Sequence, residues 1–266
     1  MAFVESEVLR LYRPDQSKPA TPVLSIVIPT WNGGRQLSAT LSHVQEYRDG
    51  LGFPSELVVV DDCSEMYTER ILEQFVGENE MSVVLRNDTN RGKGFAVARG
   101  MLHANGAYRI FVDSDLAYPS CQISKLLAEL QSGSDVAIAC RVLPESRYVM
   151  SPTFFHYLYT RHLMSRAFNR VTQLALLPGI LDTQAGLKGF TARAAEVIFS
   201  RQTLSGFGFD LECLYIARLH NLAIKQVPVD FYYNDEPSTI SFVRHGATML
   251  GDLVRVRRNA ARGLYV

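Results

Sequence analysis

Two aspartates separated by one residue follow a short apolar segment of the chain. Asp113 and Asp115 alternate around Ser114, so both carboxylates point to the same side of an extended backbone. Two adjacent carboxylates repel each other and favour a hard cation such as Mg²⁺ or Mn²⁺, which would neutralise a diphosphate. Both aspartates would also suit the N-terminus of the helix that Pro119 opens. A metal site and a helix cap are both open at this point.

Two further polar groups follow apolar segments in the same way. Asp61 and Asp62 end the segment ELVVVD, where an acid commonly accepts hydrogen bonds from a ribose or a base; an Asx-turn is the alternative. The segment Arg91–Gly94 places two cations at a helix start, which favours anions. It matches neither the dinucleotide fingerprint nor the phosphate loop of an NTPase, and a plain helix entry is the alternative.

Alternating strands and helices must position these side chains. Short β-branched runs predict buried parallel strands, and stretches with helical periodicity separate them. The predicted strands are Val23–Thr30, Glu56–Asp61, Ser82–Leu85, Tyr108–Val112 and Val136–Ala139. The predicted helices are Arg35–Tyr47, Tyr67–Val76, Gly94–Ala104 and Pro119–Gln131. This order predicts a doubly wound α/β sheet whose ligands bind beyond the carboxyl ends of the strands, where the polar groups lie.

The pattern changes after Cys140. The later elements are an amphipathic helix over Thr153–Arg170 and a helix that contains Phe209–Glu212 (FDLE). A strand over Ala223–Tyr233 and a basic helix over Met249–Asn259 follow. We expect an N-terminal arm over residues 1–22 and one domain over 23–266. Within that domain, residues 23–140 form one half, 141–241 a second half, and 242–266 the basic C-terminal helix.

Composition excludes several classes of protein. The 266 residues hold 27 basic and 27 acidic side chains, which argues against a nucleic-acid-coating protein. The four cysteines are far apart and give no support for a zinc site, and a reducing cytosol suits them. No uncharged apolar run reaches the roughly 18 residues that span a bilayer. Glu5 and Glu7 stand where a signal peptide would be basic and then apolar, so we expect a cytoplasmic chain.

The motifs together resemble a known family. LSIVIPTWN, VVVDDCS, NRGKGFAVARG and VDSD look like the nucleotide-sugar half of a family 2 glycosyltransferase, and DTQAGLKGFT and GFDLECLYIA narrow the resemblance to polyprenyl-phosphate sugar synthases, closest to dolichyl-phosphate β-glucosyltransferases. The resemblance implies the GT-A fold: a Rossmann-like, mostly parallel sheet with helices on both faces and a helical elaboration on the acceptor side. It also implies inverting transfer of a hexose from a UDP- or GDP-sugar to a polyprenyl or dolichyl phosphate, giving a β-linked product.

The resemblance assigns donor-side roles by matching position. Asp113 and Asp115 would hold the nucleotide and a Mg²⁺ or Mn²⁺ ion. Lys93 would lie near the nucleotide. The residues that would complete the nucleotide site are Pro29, Thr30, Asn32 and Asp62.

Acceptor-side roles follow in the same way. Arg141 matches an arginine that meets the acceptor phosphate, and Asp182 and Gln184 would lie on the acceptor side of the sugar. Asp210, with Glu212 nearby, is the candidate for orienting or deprotonating the acceptor. Asp182 is the rival base, and a solvated helix face is the alternative for the other two acids.

The acceptor determines how much a base matters. A phosphate monoester, with a second pKa near about 6, is already largely dianionic at neutral pH and needs little help. An alcohol acceptor would need a strong base, so the cost of losing Asp210 reports the type of acceptor.

The basic tail raises the question of a membrane. Residues 242–266 hold five arginines and one acidic residue, and together with Thr153–Arg170 they would suit a peripheral membrane contact; a core helix with snorkelling arginines is the alternative. Without a spanning segment, the chain would dock peripherally, use a membrane partner or act on a soluble acceptor. A non-catalytic nucleotide-sugar-binding protein is the remaining alternative. Oligomeric state is not predicted.

Overall fold

A computed structural model describes residues 21–79, 81–115, 117–149, 169–232 and 242–266, with only the backbone of 242–247. Its nine strands in these ranges are β1 Leu24–Thr30, β2 Ser55–Asp61, β3 Ser82–Arg86, β4 Tyr108–Val112, β5 Val136–Cys140, β6 Arg147–Val149, β7 Leu187–Thr191, β8 Ile224–Pro228 and β9 Asp230–Tyr232. The main helices are α1 Gly34–Asp49, α2 Met66–Glu78, α3 Lys93–His103, α4 Gln122–Gln131, α5 Ala192–Phe199, α6 Phe209–Leu219 and α7 Phe242–Ala261.

The central sheet has seven strands in the order β3-β2-β1-β4-β7-β5-β8. All neighbouring pairs are parallel except those of β7, which runs antiparallel to β4 and to β5. Every residue of β1 and β2 is buried, as expected for strands covered on both faces. The mostly parallel, doubly wound sheet predicted from the sequence is therefore confirmed.

Helices cover both faces of the sheet. Alternate residues of β1 divide between two apolar clusters, with Val27 in one and Ile26 and Ile28 in the other. The first cluster includes side chains of α3, α5, α6 and α7, and the second includes side chains of α1, α2 and α4. Gly100 lets α3 approach closely, because a Cβ there would overlap the side chain of Val27.

Strand β7 was not predicted as a strand. Its sequence LKGFT carries a lysine and a glycine, so it does not show the β-branched pattern of the other strands. In the structure it fills the position between β4 and β5, which brings the loop before it to the edge where β4 and β5 end. This insertion is what places the DTQAG segment beside the aspartates of VDSD.

The prediction of one continuous strand over Ala223–Tyr233 is wrong. The chain instead forms β8, which pairs with β5, and β9, which pairs with β6 in a separate two-stranded sheet. Pro228 ends β8, since a proline has no N–H to donate to a continuing ladder.

The other predicted elements on described residues are confirmed, with ends within a few residues of the predicted ones except at the start of α7, which begins earlier. The predicted basic helix Met249–Asn259 lies within α7, and the helix that contains Asp210 is α6. Nearly all of the predicted arm 1–22 and of the predicted helix Thr153–Arg170 lies outside the described residues. No helix in the described ranges is long and apolar enough to cross a bilayer.

Candidate functional site

The polar residues predicted at the strand ends converge at one edge of the sheet. Strands β4 and β7 are paired so that Val112 lies opposite Leu187. The residue after β4 therefore lies beside the residue before β7, and the Asp113 amide donates to the Gly186 carbonyl at 2.9 Å. Parallel strands β1, β2 and β5 end at this same edge. The sheet thus brings five chain segments together at one edge.

Lys93 and Asp113 form an ion pair at this edge of the sheet. The ammonium lies 2.6 Å from Asp113 Oδ1 and 2.8 Å from Oδ2. Burial alone would lower the pKa of Lys93, but the carboxylates of Asp113 and Asp210 outweigh it and raise that pKa above its ordinary value. Lys93 is therefore a permanent cation at neutral pH.

Asp115 lies in the loop after β4 and is exposed to solvent. Its Oδ1 accepts a hydrogen bond from the Ala117 amide at 3.0 Å. Part of its surface reaches solvent, yet crowding by protein atoms, and then the nearby charge of Asp113, raise the pKa of this carboxyl. Negative charge is concentrated here beyond what Lys93 neutralises.

This acidic pair has the chemistry of a site for a hard divalent cation. Both side chains offer carboxylate oxygens, which Mg²⁺ and Mn²⁺ prefer, and Asp113 Oδ1 is buried with the Lys93 ammonium 2.6 Å away. In the described part of the chain, no group of three or more His, Cys, Asp or Glu side chains is arranged to hold a metal. A cation bound here would therefore need further oxygen ligands, such as those of a diphosphate.

Asp62 organises the turn that carries Lys93. Its Oδ1 accepts hydrogen bonds from Asn87 Nδ2 at 2.6 Å and the Arg91 amide at 2.9 Å, and its Oδ2 accepts one from the Gly92 amide at 2.7 Å. Gly92 has φ +95°, a left-handed conformation that favours glycine. The buried Asp62 carboxylate holds the start of α3 in place, and its predicted contact with a nucleotide stays a prediction.

The end of β1 lies beside the end of β2 at this edge. Asn32 has φ +53°, its amide donates to Ser64 Oγ at 2.8 Å, and its Oδ1 accepts from the Glu65 amide at 2.8 Å. Asn32 thus ties the loops after β1 and β2 together. Pro29 is a buried residue of β1, and Thr30 Oγ1 is buried without a hydrogen-bond partner. These residues lie at the predicted edge of the sheet.

Arg141 and Asp182 form an ion pair just after the end of β5. Arg141 Nε donates to Asp182 Oδ2 at 2.7 Å, and Nη2 donates to Oδ1 at 2.9 Å. The Arg141 amide also donates to Asp182 Oδ2 at 3.1 Å, and the Gln184 amide donates to Oδ1 at 3.3 Å. Burial would raise the pKa of Asp182, but Arg141 outweighs it and lowers that pKa. A carboxylate held in this way orients Arg141, and the structure gives no support to Asp182 as the base.

Gln184 lies in the same loop as Asp182, before β7. Its Nε2 is buried and has no hydrogen-bond partner among the described residues. Arg141 stacks on an aromatic ring, with its guanidinium 5.4 Å from the centroid of Phe231. The hydrogen bonds to Asp182 use Arg141 Nε and one N–H of Nη2, so the other guanidinium N–H groups are candidates for binding an anion.

Lys188 is the charged residue that sequence reasoning missed. It is a fully buried residue of β7, and its Nζ donates to Asp210 Oδ1 at 2.5 Å and to the Ala185 carbonyl at 2.6 Å. Burial raises the pKa of Asp210 despite the opposing effect of Lys188 and Lys93. The signal in the sequence was a lysine inside an otherwise apolar segment, AGLKGF. Asp210 is thus a buried, paired carboxylate and not part of a solvated helix face.

The acceptor-binding role predicted for Glu212 is not supported by its position. Glu212 is fully buried, and its carboxylate accepts hydrogen bonds from the Thr203 amide at 3.0 Å, the Leu204 amide at 2.8 Å and the Tyr265 hydroxyl at 2.6 Å. The physical reason is helical geometry: residues two apart on a helix point in different directions. Glu212 therefore faces the C-terminal segment, and Asp210 faces Lys188.

Comparisons with known proteins agree with this geometry. A family model described as glycosyl transferase family 2 matches residues 25–199. The dolichyl-phosphate beta-glucosyltransferase of Homo sapiens is 30% identical over 226 residues, which cover 79% of this chain and 68% of the human protein. The Dictyostelium discoideum protein of the same name is 28% identical over 251 residues, covering 91% of this chain and 76% of that protein.

A solved structure shares the fold. Glucosyl-3-phosphoglycerate synthase from Mycobacterium tuberculosis, in complex with Mn²⁺, UDP-glucose and phosphoglyceric acid, superposes with a TM-score of 0.65 at 18% identity. The match covers 92% of this chain and 86% of that one. The GT-A fold predicted from the motifs is thereby confirmed.

Proposed function

Because this chain belongs to glycosyl transferase family 2, we propose that it transfers a hexose from a nucleoside-diphosphate sugar to a polyprenyl or dolichyl phosphate, giving a β-linked lipid-phosphate sugar. UDP-sugars are the favoured donors, and GDP-sugars are the second choice. The observation that carries the proposal is the convergence of Lys93 and Asp113 with the Arg141–Asp182 pair at one sheet edge. The similarity to dolichyl-phosphate beta-glucosyltransferases supports the choice of acceptor.

The donor side would bind the nucleotide and its diphosphate. Pro29, Thr30, Asn32 and Asp62 line the ends of β1 and β2, where the nucleoside would lie. Asp113 and Asp115 would hold a Mg²⁺ or Mn²⁺ ion, which when bound would stabilise the negative charge on the departing diphosphate. Lys93 would exchange one contact with Asp113 for a phosphate oxygen, since its ammonium can donate three hydrogen bonds.

The acceptor side would bind the lipid phosphate through Arg141. A guanidinium binds two phosphate oxygens in a fixed geometry only if its plane is held still. The two side-chain hydrogen bonds to Asp182 and the ring of Phe231 hold that plane. Gln184, two residues after Asp182, would supply a further donor on this side.

The transfer itself would be a single displacement. A phosphate oxygen of the acceptor forms a bond to the anomeric carbon as the bond from that carbon to the diphosphate oxygen breaks, which inverts the configuration. The electron pair leaves with the nucleoside diphosphate, and a dianionic acceptor has no proton to lose. Asp210, paired with Lys188, would therefore position the surrounding charges rather than serve as an essential base.

The acceptor requires a route to a lipid surface, and the exposed face of α7 offers one. Leu250 and Val254 are 50% and 67% exposed, and Arg257 and Arg258 are exposed on the same helix. Apolar side chains flanked by arginines suit the interface of an anionic membrane. We propose this face as a peripheral contact. Sedimentation with anionic vesicles tests it: Arg257→Glu/Arg258→Glu should lose binding, and Arg70→Glu on α2 should not.

A donor screen tests the proposed activity. Purified protein, with Mn²⁺ or with EDTA, is incubated with a panel of UDP- and GDP-sugars, with and without geranyl phosphate, and nucleotide release is measured. Release that depends on the lipid phosphate and on Mn²⁺ is the expected result. Release indifferent to the lipid phosphate would point to a soluble acceptor. Nucleotide binding without any release would contradict the enzymatic proposal and favour a binding protein.

A further inference from the structure

Buried polar atoms without hydrogen-bond partners concentrate at the site. The described residues contain seven such side-chain atoms. Five of them belong to residues at the edge of the sheet where β4 ends. Asp61 Oδ2 and Asp113 Oδ1 are ion-paired with Arg86 and Lys93, which leaves Thr30 Oγ1, Tyr118 OH and Gln184 Nε2 without a described partner. Burying a polar group without a partner costs free energy, so a cluster of such atoms indicates a place where a ligand supplies the missing partners. Thr30 and Gln184 have predicted roles in binding, whereas Tyr118 has none.

The ring of Tyr118 is fixed by aromatic contacts. Its side chain is only 3% exposed, and its ring lies edge-on to Phe231 with centroids 5.2 Å apart. Phe231 in turn lies beneath the Arg141 guanidinium at 5.4 Å and contacts Tyr148 with centroids 5.9 Å apart. Tyr118 and Arg141 therefore share one supporting ring, and neither can move far without the other.

Charges from both parts of the site act on the Tyr118 hydroxyl. The groups whose charges act on it are Arg141 and Asp182 on the acceptor side, and Asp113 and Asp115 on the donor side. Burial is the largest effect and raises the pKa of Tyr118 far above its ordinary value. The hydroxyl is therefore protonated at any working pH and able to donate a hydrogen bond.

We propose that the Tyr118 hydroxyl donates a hydrogen bond to a phosphate oxygen held between Arg141 and the Asp113–Asp115 edge. This rests on the proposed function, which places two phosphate groups here: the donor's diphosphate and the acceptor's phosphate. Both offer the same anionic oxygen. A neutral hydroxyl suits this position because a cationic side chain would pair with the carboxylates of Asp113 and Asp115 instead of with the phosphate.

Tyr118→Phe tests the proposal, since it removes one oxygen atom and keeps the ring. A hydroxyl without a protein partner contributes nothing to folding, so the Tm of this variant should equal or exceed that of wild type. A hydrogen bond to a charged group is worth about 10- to 100-fold in affinity. The matched control is Tyr108→Phe, at the opposite end of β4, which should leave binding and kinetics unchanged.

Two probes identify the phosphate that is bound. The Kd for UDP with Mn²⁺, measured by calorimetry, reports the donor diphosphate, and the Kd and KM for geranyl phosphate report the acceptor phosphate. Weaker binding of either probe by Tyr118→Phe, with Tm retained, supports the proposal and names the source. Unchanged affinity for both, or a Tm lowered by several degrees, overturns it.

The two proposals fail in different ways. If wild-type protein binds these probes but transfers no sugar, the proposed function fails and the binding comparison still tests Tyr118. If wild type transfers sugar and Tyr118→Phe matches it in both affinities and in kcat/KM, only the Tyr118 proposal fails. Wild-type protein that binds neither probe would overturn both.

Discussion

Lys188 Nζ donates a 2.5 Å hydrogen bond to Asp210 Oδ1 in a part of the protein where neither side chain has meaningful contact with solvent. Two charges removed from water in this way are tolerated only because each compensates the other. The pair joins β7 to the first turn of α6, next to the Lys93–Asp113 pair. The region therefore contains two cations and two carboxylates, and the attraction between them holds the Lys93–Asp113 pair in place.

We predict that Asp210→Asn lowers stability more than it lowers chemistry. The variant leaves the buried Lys188 ammonium without a counter-ion, at a cost of about 3 kcal/mol in the free energy of unfolding. With a phosphate acceptor, kcat of the folded fraction should fall less than about 10-fold, whereas loss of a general base costs about 100-fold or more. Urea unfolding and kcat with geranyl phosphate measure the two effects.

The control for this prediction is the double variant Asp210→Asn/Lys188→Met. It retains no buried charge at this position, so it should be more stable than Asp210→Asn alone. A fall in kcat of several hundredfold, in protein shown to be folded, would contradict the positioning role and restore Asp210 as the base.

The Arg141–Asp182 pair should make stability dependent on pH in the acid range. The folded pKa of Asp182 lies below its unfolded value of about 3.9. The stabilisation is therefore fully present above about pH 4 and is lost as the pH falls through the folded pKa. Asp182→Asn should cost about 3 kcal/mol at pH 7 and progressively less below pH ~4. Urea unfolding of both proteins across this range measures the difference, and a pH-independent difference would contradict the assignment.

Glu212 should affect folding without affecting acceptor binding. Glu212→Gln replaces a carboxylate that accepts from the Thr203 and Leu204 amides and the Tyr265 hydroxyl, and one of these donors then faces an amide NH₂. We expect a loss of about 1–3 kcal/mol and an unchanged KM for geranyl phosphate in folded protein. A raised KM with unchanged stability would return Glu212 to the acceptor site.

The position of the site could be predicted from the sequence because the parallel strands carry their own signal. Runs such as LSIVIPT and ELVVVD identify buried strands, and the fold rule that ligands bind beyond their carboxyl ends places Asn32, Asp62 and Asp113 together. These inferences need only the order of the strands along the chain.

What the sequence did not reveal depends on contacts between distant segments. The antiparallel strand β7 has a weak pattern, so neither its insertion nor the pairing of Lys188 with Asp210 was predicted. The hydrogen-bond partners of Asp182 and Glu212 were not predicted for a related reason. An acidic side chain beside a site looks the same in sequence whether it faces a ligand, an arginine or a core amide, and only the packed structure distinguishes these.

Lys93 should contribute directly to binding of the nucleoside diphosphate. A lysine that donates to a phosphate is worth about 1.5–3 kcal/mol, so Lys93→Met should weaken UDP binding by about 10- to 100-fold. Lys125→Met is the matched control, because its 3.5 Å ion pair with Asp230 is largely exposed. Calorimetry with UDP and Mn²⁺ measures both, and equal affinities for the two variants would contradict the role of Lys93.

Gly186 should be required for the geometry of Asp113. A Cβ at Gly186 would overlap Asp113 Oδ2, and the Gly186 carbonyl accepts from the Asp113 amide at 2.9 Å. Gly186→Ala should therefore displace the carboxylate and weaken UDP binding in the presence of Mn²⁺ by at least about 10-fold, whereas UDP binding in EDTA should change less. Gly77→Ala, in α2 with open space around its Cβ position, should bind UDP normally and gain about 0.5–1 kcal/mol of stability. Equal losses with and without Mn²⁺ would show that the substitution damages the proposed nucleotide site and not the carboxylate proposed to bind the metal.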